Sequence, residues 1–461
     1  MINTAAKRII ENYIFQRMSE SRIVGLSIGI VKDNDIIYSR GFGFRDFERG
    51  TSPTPSTIYC IGSVTKPFTA LAVMQLQERG LLSLDDPVSE YIPFDVKPMG
   101  EEVLIKHLLS HTSGLSSLGY AEATLGAVTS TYDNWFPICS PKDLLVFMNG
   151  SEDWVISRPG EKYGYLNEGY ILLGAIIEKV TGQEYMYFVK ENILEPLGMN
   201  RSTFLEDEVL NLGDMAIPYV SSDDGTKIPT RYPYGQMIAD GGLMSTANDL
   251  AKFVRMVMSG GKSEGKMVIS DQSIKEMRSP KIQTDDIPLA SGENVHYGYG
   301  FRIRSGFLGH QLVYHSGSVF GSSAHIGLIP EEQLGLVILC NGGYFLKDIG
   351  DHALAVLLNR DPDEITYFKR MRSLDELTGN YSTFRGISNY TVSRTGGTLQ
   401  LTSSFGRRTY SQTLYPVEKE GEMKSFEIVG LESTSRVLFF NQGNEKFMTY
   451  DGVLAKKISP I

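Results

Sequence analysis

Two apolar runs of strand length, residues 24–31 and 36–42, flank the turn-prone Lys32-Asp33-Asn34-Asp35 and predict a hairpin. Ahead of it, residues 1–18 mix Lys7, Arg8 and Arg17 with Ile9, Ile10, Tyr13 and Phe15, the pattern of an amphipathic helix. A helix is predicted over 67–79 from Phe68, Leu71, Ala72, Met74 and Leu76, with Gly80 as its stop. Another is predicted over 171–182. Strand patterns return at 299–303, 311–315, 323–329 and 334–341, followed by a helical segment at 351–359. Strands from both ends thus bracket a mainly helical middle, which predicts one sheet with a helical insertion packed against it.

Beyond residue 374 the pattern changes. Tyr390/Val392, Leu399/Leu401, Phe426/Ile428 and Val437/Phe439 alternate with a period of two. Turn clusters separate them at Thr395-Gly396-Gly397-Thr398, Lys419-Glu420-Gly421-Glu422 and Gln442-Gly443-Asn444. Short strands at this spacing predict a small β-barrel or sandwich. The charged stretch 360–372, with Pro362, is expected to be a linker, giving domains of 1–360 and 374–461.

The 461-residue length suits one large and one small domain. A net charge of -10 offers no footprint for nucleic acid or an anionic membrane. No segment approaches the roughly 20 apolar residues of a membrane helix, and the N-terminus lacks a signal-peptide pattern. Cys60, Cys139 and Cys340 match no disulfide or zinc spacing. These features point to the cytoplasm, with no metal or cofactor.

Ser63-Val64-Thr65-Lys66 places a hydroxyl and an amine on one helical face, just ahead of Pro67. Free N–H groups in a first turn favour developing negative charge, and a desolvated lysine can draw a proton from a serine. Alone the pattern is weak, since Ser259/Lys262 and Ser263/Lys266 repeat it in a Gly-rich stretch. Tyr165-Leu166-Asn167 supplies a phenol and an amide, although Tyr132-Asp133-Asn134 has the same form. His315-Ser316-Gly317 follows an apolar run. A strand ending there would offer the Ser318 N–H to an oxyanion, with Gly317 permitting close approach. His296-Tyr297-Gly298 and His325-Ile326-Gly327 are its decoys.

In joint order these elements resemble the Ser-x-x-Lys hydrolases: penicillin-binding proteins, class C β-lactamases and their peptidase and esterase relatives. Leu108-Leu109-Ser110-His111-Thr112-Ser113-Gly114-Leu115, Gly241-Gly242-Leu243-Met244-Ser245-Thr246 and Tyr297-Gly298-Tyr299-Gly300-Phe301 share the likeness, which covers about residues 10–358. It implies an α/β (α+β) fold: a β-lactamase-like antiparallel sheet with a helical subdomain, followed here by a lipocalin-like β-barrel. It also implies Ser63 as nucleophile, with Lys66 and Tyr165 sharing the base and acid roles in an order the sequence leaves open. Asn167 would orient Lys66 and the substrate amide. The N–H groups of Ser63 and Ser318 would form the oxyanion hole, and His315 would line the site. His315 stands where β-lactamases carry lysine, which removes a fixed cation for a substrate carboxylate and directs the likeness to the D-amino-acid peptidase and esterase branch.

The expected activity is hydrolysis of small peptides, D-residue peptides included. A carboxylesterase and a penicillin-binding protein without turnover are the alternatives, and a scaffold acting through the C-terminal domain is a further class. Relatives with such appendages suggest a homo-oligomer. His107 and His111 are expected to be structural or capping residues, and Cys60 a buried small apolar one.

Overall fold

The computed structural model describes residues 1–129, 138, 140–222, 224–231, 238–286, 294–319, 321–405, 408–417, 424–430 and 433–460. Cys139, the decoy Tyr132-Asp133-Asn134 and the turn Lys419-Glu420-Gly421-Glu422 lie outside the described residues. Two compact units divide the chain, Met1–Asp361 and Pro362–Ile461.

The first unit is built on an eight-stranded antiparallel sheet. Its strands are β1 (Gly25–Lys32), β2 (Asp35–Gly43), β3 (Ile282–Gln283), β4 (Asn294–Tyr297), β5 (Arg302–Phe307), β6 (His310–Val319), β7 (Ser322–Ile329) and β8 (Leu334–Cys340). They lie in the order β2-β1-β8-β7-β6-β5-β4-β3, so the N-terminal hairpin inserts beside the last strand. The β1–β2 turn uses Asp33 and Asn34 at φ 50° and 68°, the left-handed pair that a two-residue hairpin requires. β8 is buried along its whole length and is apolar on both faces, while β7, equally buried, keeps Ser322 bonded to the Cys60 carbonyl and His325 bonded to Ser316 Oγ, both at 2.8 Å.

Helices cover both faces. α1 (Thr4–Glu20) is tied to α5 (Lys347–Leu357) by Arg17–Asp348 at 2.8 Å and by Tyr13 stacked on His352 at 3.9 Å. On the other face lies α4 (Ala247–Met258), where Gly335 of β8 admits Val254. α2 (Lys66–Glu78) meets α4 through the stacked rings of Phe68 and Phe253, 4.1 Å apart. α3 (Asn167–Thr181) ends at Gly182 in the left-handed conformation.

Three sequence expectations need correction. The strand expected over 299–303 begins only at Arg302, because Gly300 at φ 77° turns the chain against Pro67 and Ala70. The strand expected to stop at His315 continues to Val319, so His315, Gly317 and Ser318 lie within it. The segment expected as a linker carries α6 (Thr366–Asp375), whose Phe368 and Leu374 are buried.

The second unit is a closed barrel of eight antiparallel strands: β9 (Gly379–Ser382), β10 (Asn389–Thr395), β11 (Thr398–Phe405), β12 (Arg408–Pro416), β13 (Lys424–Val429), β14 (Thr434–Gln442), β15 (Glu445–Tyr450) and β16 (Val453–Ser459). Tyr381, Val392, Leu401, Leu414, Phe439 and Met448 fill it. Eight strands leave an interior just wide enough for such side chains.

Candidate active site

The turn Gly62–Thr65 is a single 3-10 turn that runs directly into α2, so Ser63 and Lys66 face the same way one turn apart. Ser63 is half-buried, whereas Lys66 is completely buried. Lys66 Nζ lies 2.7 Å from Asn167 Oδ1, 2.9 Å from the Asp240 carbonyl oxygen and 3.0 Å from Ser63 Oγ. The two carbonyl oxygens can only accept, so they take two N–H bonds. The third direction faces a hydroxyl that can accept or donate. A proton can therefore pass between Ser63 and Lys66 without disturbing the other two bonds. The rings of Tyr165 and Tyr170 lie 4.9 and 5.5 Å from the same nitrogen.

β6 presses against the Ser63 turn. A Cβ on Gly317 would stand 2.1 Å from the Ile61 carbonyl and 2.7 Å from Ser63 N, and one on Gly62 would stand 2.9 Å from Ser318 N. Glycine on both sides brings the Ser63 and Ser318 backbones together, the arrangement an oxyanion hole needs.

His315 is buried, and burial, with Lys66 and Arg302 nearby, holds it well below its ordinary pKa. Its Nδ1 donates to the Ser316 carbonyl at 2.8 Å, which leaves Nε2 to accept from Tyr297 Oη at 2.9 Å. The ring is therefore neutral at ordinary pH.

The three flanking stretches of the sequence each support one of these groups. In Gly241–Thr246, Leu243 N donates to Thr65 Oγ1 at 3.1 Å, while Met244 and Ser245 pair with Cys60 and Tyr59. Gly300 sits against α2 at Lys66 and Pro67. His111, at φ 57°, accepts from Leu166 N–H at 3.1 Å through Nδ1, and its ring lies 4.2 Å from that of Tyr165. It holds the backbone between Tyr165 and Asn167. His107 Nδ1 accepts from Leu104 N–H at 3.2 Å, a capping role. Cys60 is buried, and burial pushes its thiol up, which makes it inert.

Two functional candidates escape the sequence reading. Arg302, two residues after Gly300, donates to Tyr163 Oη at 3.1 Å and pairs with Asp286, its side chain still 23% exposed. The Tyr163 ring lies 5.9 Å from that of Tyr297, so a permanent cation stands along the wall that leads to His315. Asp240 is buried with neither carboxylate oxygen hydrogen-bonded. Burial pushes it up to about 7, against the pull of Lys66. No local motif announces either residue. Among the described residues, no group of three His, Cys, Asp or Glu is disposed to hold a metal ion.

The buried histidines give a pH prediction. Burial holds His111, His315 and His325 below their ordinary value near 6.5, so each is neutral when folded. Each takes up a proton on unfolding once the pH drops below about 6.5. Stability is therefore complete above that value and is lost as pH falls, by about 2 kcal/mol per residue at pH 5. Thermal denaturation across pH 7.5 to 5 should show a steep fall in Tm, and a flat profile would contradict this reading.

Residues 10–360 match a family model described as Beta-lactamase, and residues 362–452 match one described as Pab87 octamerisation domain. Protein flp of Staphylococcus aureus (strain MW2) is 29% identical over 361 residues, 76% of this chain and 66% of that protein. The chain thus spans just under two thirds of that relative's length. Putative penicillin-binding protein PbpX of Bacillus subtilis (strain 168) is 29% identical over 279 residues, 60% of this chain and 61% of the relative. The octameric penicillin-binding protein homologue from Pyrococcus abyssi is similar at TM-score 0.89 and 38% identity, covering 99% of this chain and all of that one. EstCE1, a hydrolase with promiscuous acyltransferase activity, shares the fold at TM-score 0.60 and 21% identity, over 73% of this chain and 93% of its own. The expected fold class, a β-lactamase-like sheet with helices plus a C-terminal β-barrel, is the one observed.

Proposed function

The chain belongs to the beta-lactamase family, and from that premise we propose that it hydrolyses small peptides through an acyl-Ser63 intermediate. The observation that carries this reading is the buried Lys66 Nζ, fixed by two carbonyl oxygens and set 3.0 Å from the hydroxyl of the half-buried Ser63. Ser63 Oγ attacks the substrate carbonyl as its proton passes to Lys66 or Tyr165. The oxyanion is held by the N–H groups of Ser63 and Ser318. The amine leaves with the proton. Water, deprotonated by the same pair, then releases the acid and restores Ser63. Asn167 holds Lys66 in place, and the neutral His315 shapes the wall through Tyr297.

The carboxylate-binding role that a lysine at position 315 would fill falls to Arg302 on this reading. Its fixed charge favours substrates with a free carboxylate on the leaving-group side, and Asp286 is exchanged for that carboxylate on binding. Arg302→Gln should raise KM for carboxylate-bearing peptides about tenfold or more and leave small neutral esters little changed. Equal effects on both substrate classes would contradict this.

Self-association also belongs to the reading, supported by the octamerisation-domain match and the octameric relative. Among the described residues no helix is long and apolar enough to cross a membrane. The cytoplasm is the proposed compartment, and intracellular peptides the substrates.

A panel of D- and L-residue peptides with a free C-terminal carboxylate, the matching aminoacyl amides and simple esters tests the activity. Turnover of peptide amides, with a preference for one stereochemistry, supports the peptidase. Turnover of esters alone would make the protein a carboxylesterase. A stable adduct with a fluorescent penicillin and no turnover would make it a penicillin-binding protein.

A further inference from the structure

Asp240 lies in a single helical turn, Ile238–Gly241, set between α2 and α3. From α2, Thr69 Oγ1 donates to the Ala239 carbonyl at 2.5 Å. From α3, a Cβ on Gly174 would stand 2.7 Å from Ala239 Cβ, so glycine there lets the helix reach the turn. Both contacts fix the Asp240 carbonyl that accepts from Lys66 Nζ at 2.9 Å.

The Asp240 side chain is harder to account for. It is 1% exposed, and among the described residues neither carboxylate oxygen is hydrogen-bonded. Buried carboxylates are ordinarily paired or hydrogen-bonded, because a bare one is costly to desolvate. The ionisable groups that face it are Lys66 on α2, Glu168 on α3, Glu122 on the helix Tyr120–Thr129, and Tyr185, whose hydroxyl lies 2.7 Å from Thr69 Oγ1. Lys66 is the cation among them. Glu168 is also completely buried: its Oε1 accepts from the Leu118 and Tyr120 N–H groups, both at 3.2 Å, while its Oε2 has no partner. Two buried carboxyl groups thus share one buried amine. Burial pushes both of them up, Asp240 to about 7 against the pull of Lys66. An apolar side chain at 240 would avoid this desolvation, so stability does not explain the carboxyl. What sets it apart is a charge that changes near neutral pH beside the proposed base.

We propose that Asp240 is a positioning residue that acts through Lys66: when ionised, its carboxylate favours the ammonium form of the amine and so sets the pH at which Lys66 changes charge. The inference rests on the acyl-Ser63 reading, in which Lys66 exchanges a proton with Ser63. In a dry pocket an anion favours a nearby ammonium more strongly than in water. Replacing the carboxyl by a neutral group removes that preference, and the amine gives up its proton at lower pH. With Lys66 as the base, the acid limb of the pH profile moves. With Lys66 held charged beside a Tyr165 base, the alkaline limb moves. Both movements are toward lower pH.

The pH dependence of kcat/KM for wild type and Asp240→Asn tests this on any substrate the wild type turns over. One limb should move to lower pH by about one unit. A loss of rate equal at every pH, with both limbs in place, would make Asp240 merely structural and overturn the inference while leaving the Ser63 chemistry intact. Should Asp240→Asn misfold, Asp240→Ala, which buries no unbonded amide, is read in the same way. A second measurement needs no turnover. The carboxyl is ionised in the unfolded chain above about 4 but stays neutral in the fold until about 7, so it destabilises the fold progressively as pH rises between these values. The Tm of the variant relative to wild type should therefore climb from pH 4 to pH 7. A constant difference would overturn the inference. A climbing difference in a protein without Ser63-dependent turnover would instead overturn the reading on which it rests.

Discussion

Lys66→Ala should lower kcat/KM by about 10²–10⁴-fold, the range lost when a positioned proton-transfer group is removed. Its completely buried amine bridges Ser63 Oγ, Asn167 Oδ1 and the Asp240 carbonyl. Truncation leaves Ser63 without a proton acceptor at 3.0 Å and leaves the buried Asp240 carbonyl and the half-buried Asn167 amide oxygen without their donor. Leaving such groups unpaired costs about 1–3 kcal/mol each in stability, while removing a buried amine relieves some desolvation. The net change in Tm should be modest beside the loss of rate. Lys66→Arg should not restore activity, because a planar guanidinium cannot place one nitrogen among three acceptors at ammonium distances. Kinetics on purified variants, with circular dichroism to confirm folding, would check this. A Lys66→Ala enzyme within tenfold of wild type would contradict it.

Gly317→Ala is the second large effect. The added Cβ would meet the Ile61 carbonyl at 2.1 Å and Ser63 N at 2.7 Å, distances no packed carbon tolerates. Backbone atoms cannot rotate away as a side chain does, so β6 must withdraw from the Ser63 turn. That separates the Ser63 and Ser318 N–H groups. Losing one oxyanion donor typically costs about 10²–10³-fold in kcat, and overpacking costs about 1–3 kcal/mol of stability. Ser318→Ala should be benign by comparison, because the proposed contribution of Ser318 is its backbone N–H. Equal kcat for Gly317→Ala and wild type would show that β6 does not hold the oxyanion.

The sequence made the site's local parts legible and left the reasons for their support hidden. Ser63 and Lys66 lie one turn apart, so helix geometry alone joins them. Asn167, the first residue of α3, comes to Lys66 across 101 residues, with Tyr165 two positions ahead of it, which no spacing rule predicts. Their place was suggested by likeness, and it is explained by His111, whose ring accepts the Leu166 N–H. Arg302 was invisible because its partners, Tyr163 and Asp286, are distant in sequence or set in loops. In the fold, the hairpin and the buried strands β7 and β8 followed from apolar runs bounded by turns. Strand limits were misplaced at Gly298–Gly300 and after His315. There a left-handed glycine and close contact with the Ser63 turn decide the backbone, and local propensity does not. α6 looks like a linker in sequence because its apolar face is short and the rest of it is charged.

Whether Ser63 is the nucleophile is open to direct measurement. Intact protein is incubated with an active-serine phosphonate and weighed by mass spectrometry, wild type beside Ser63→Ala. A single adduct is expected on the wild type and none on the variant. Equal labelling of both proteins would contradict it, as would a wild type that hydrolyses peptides yet takes up no phosphonate.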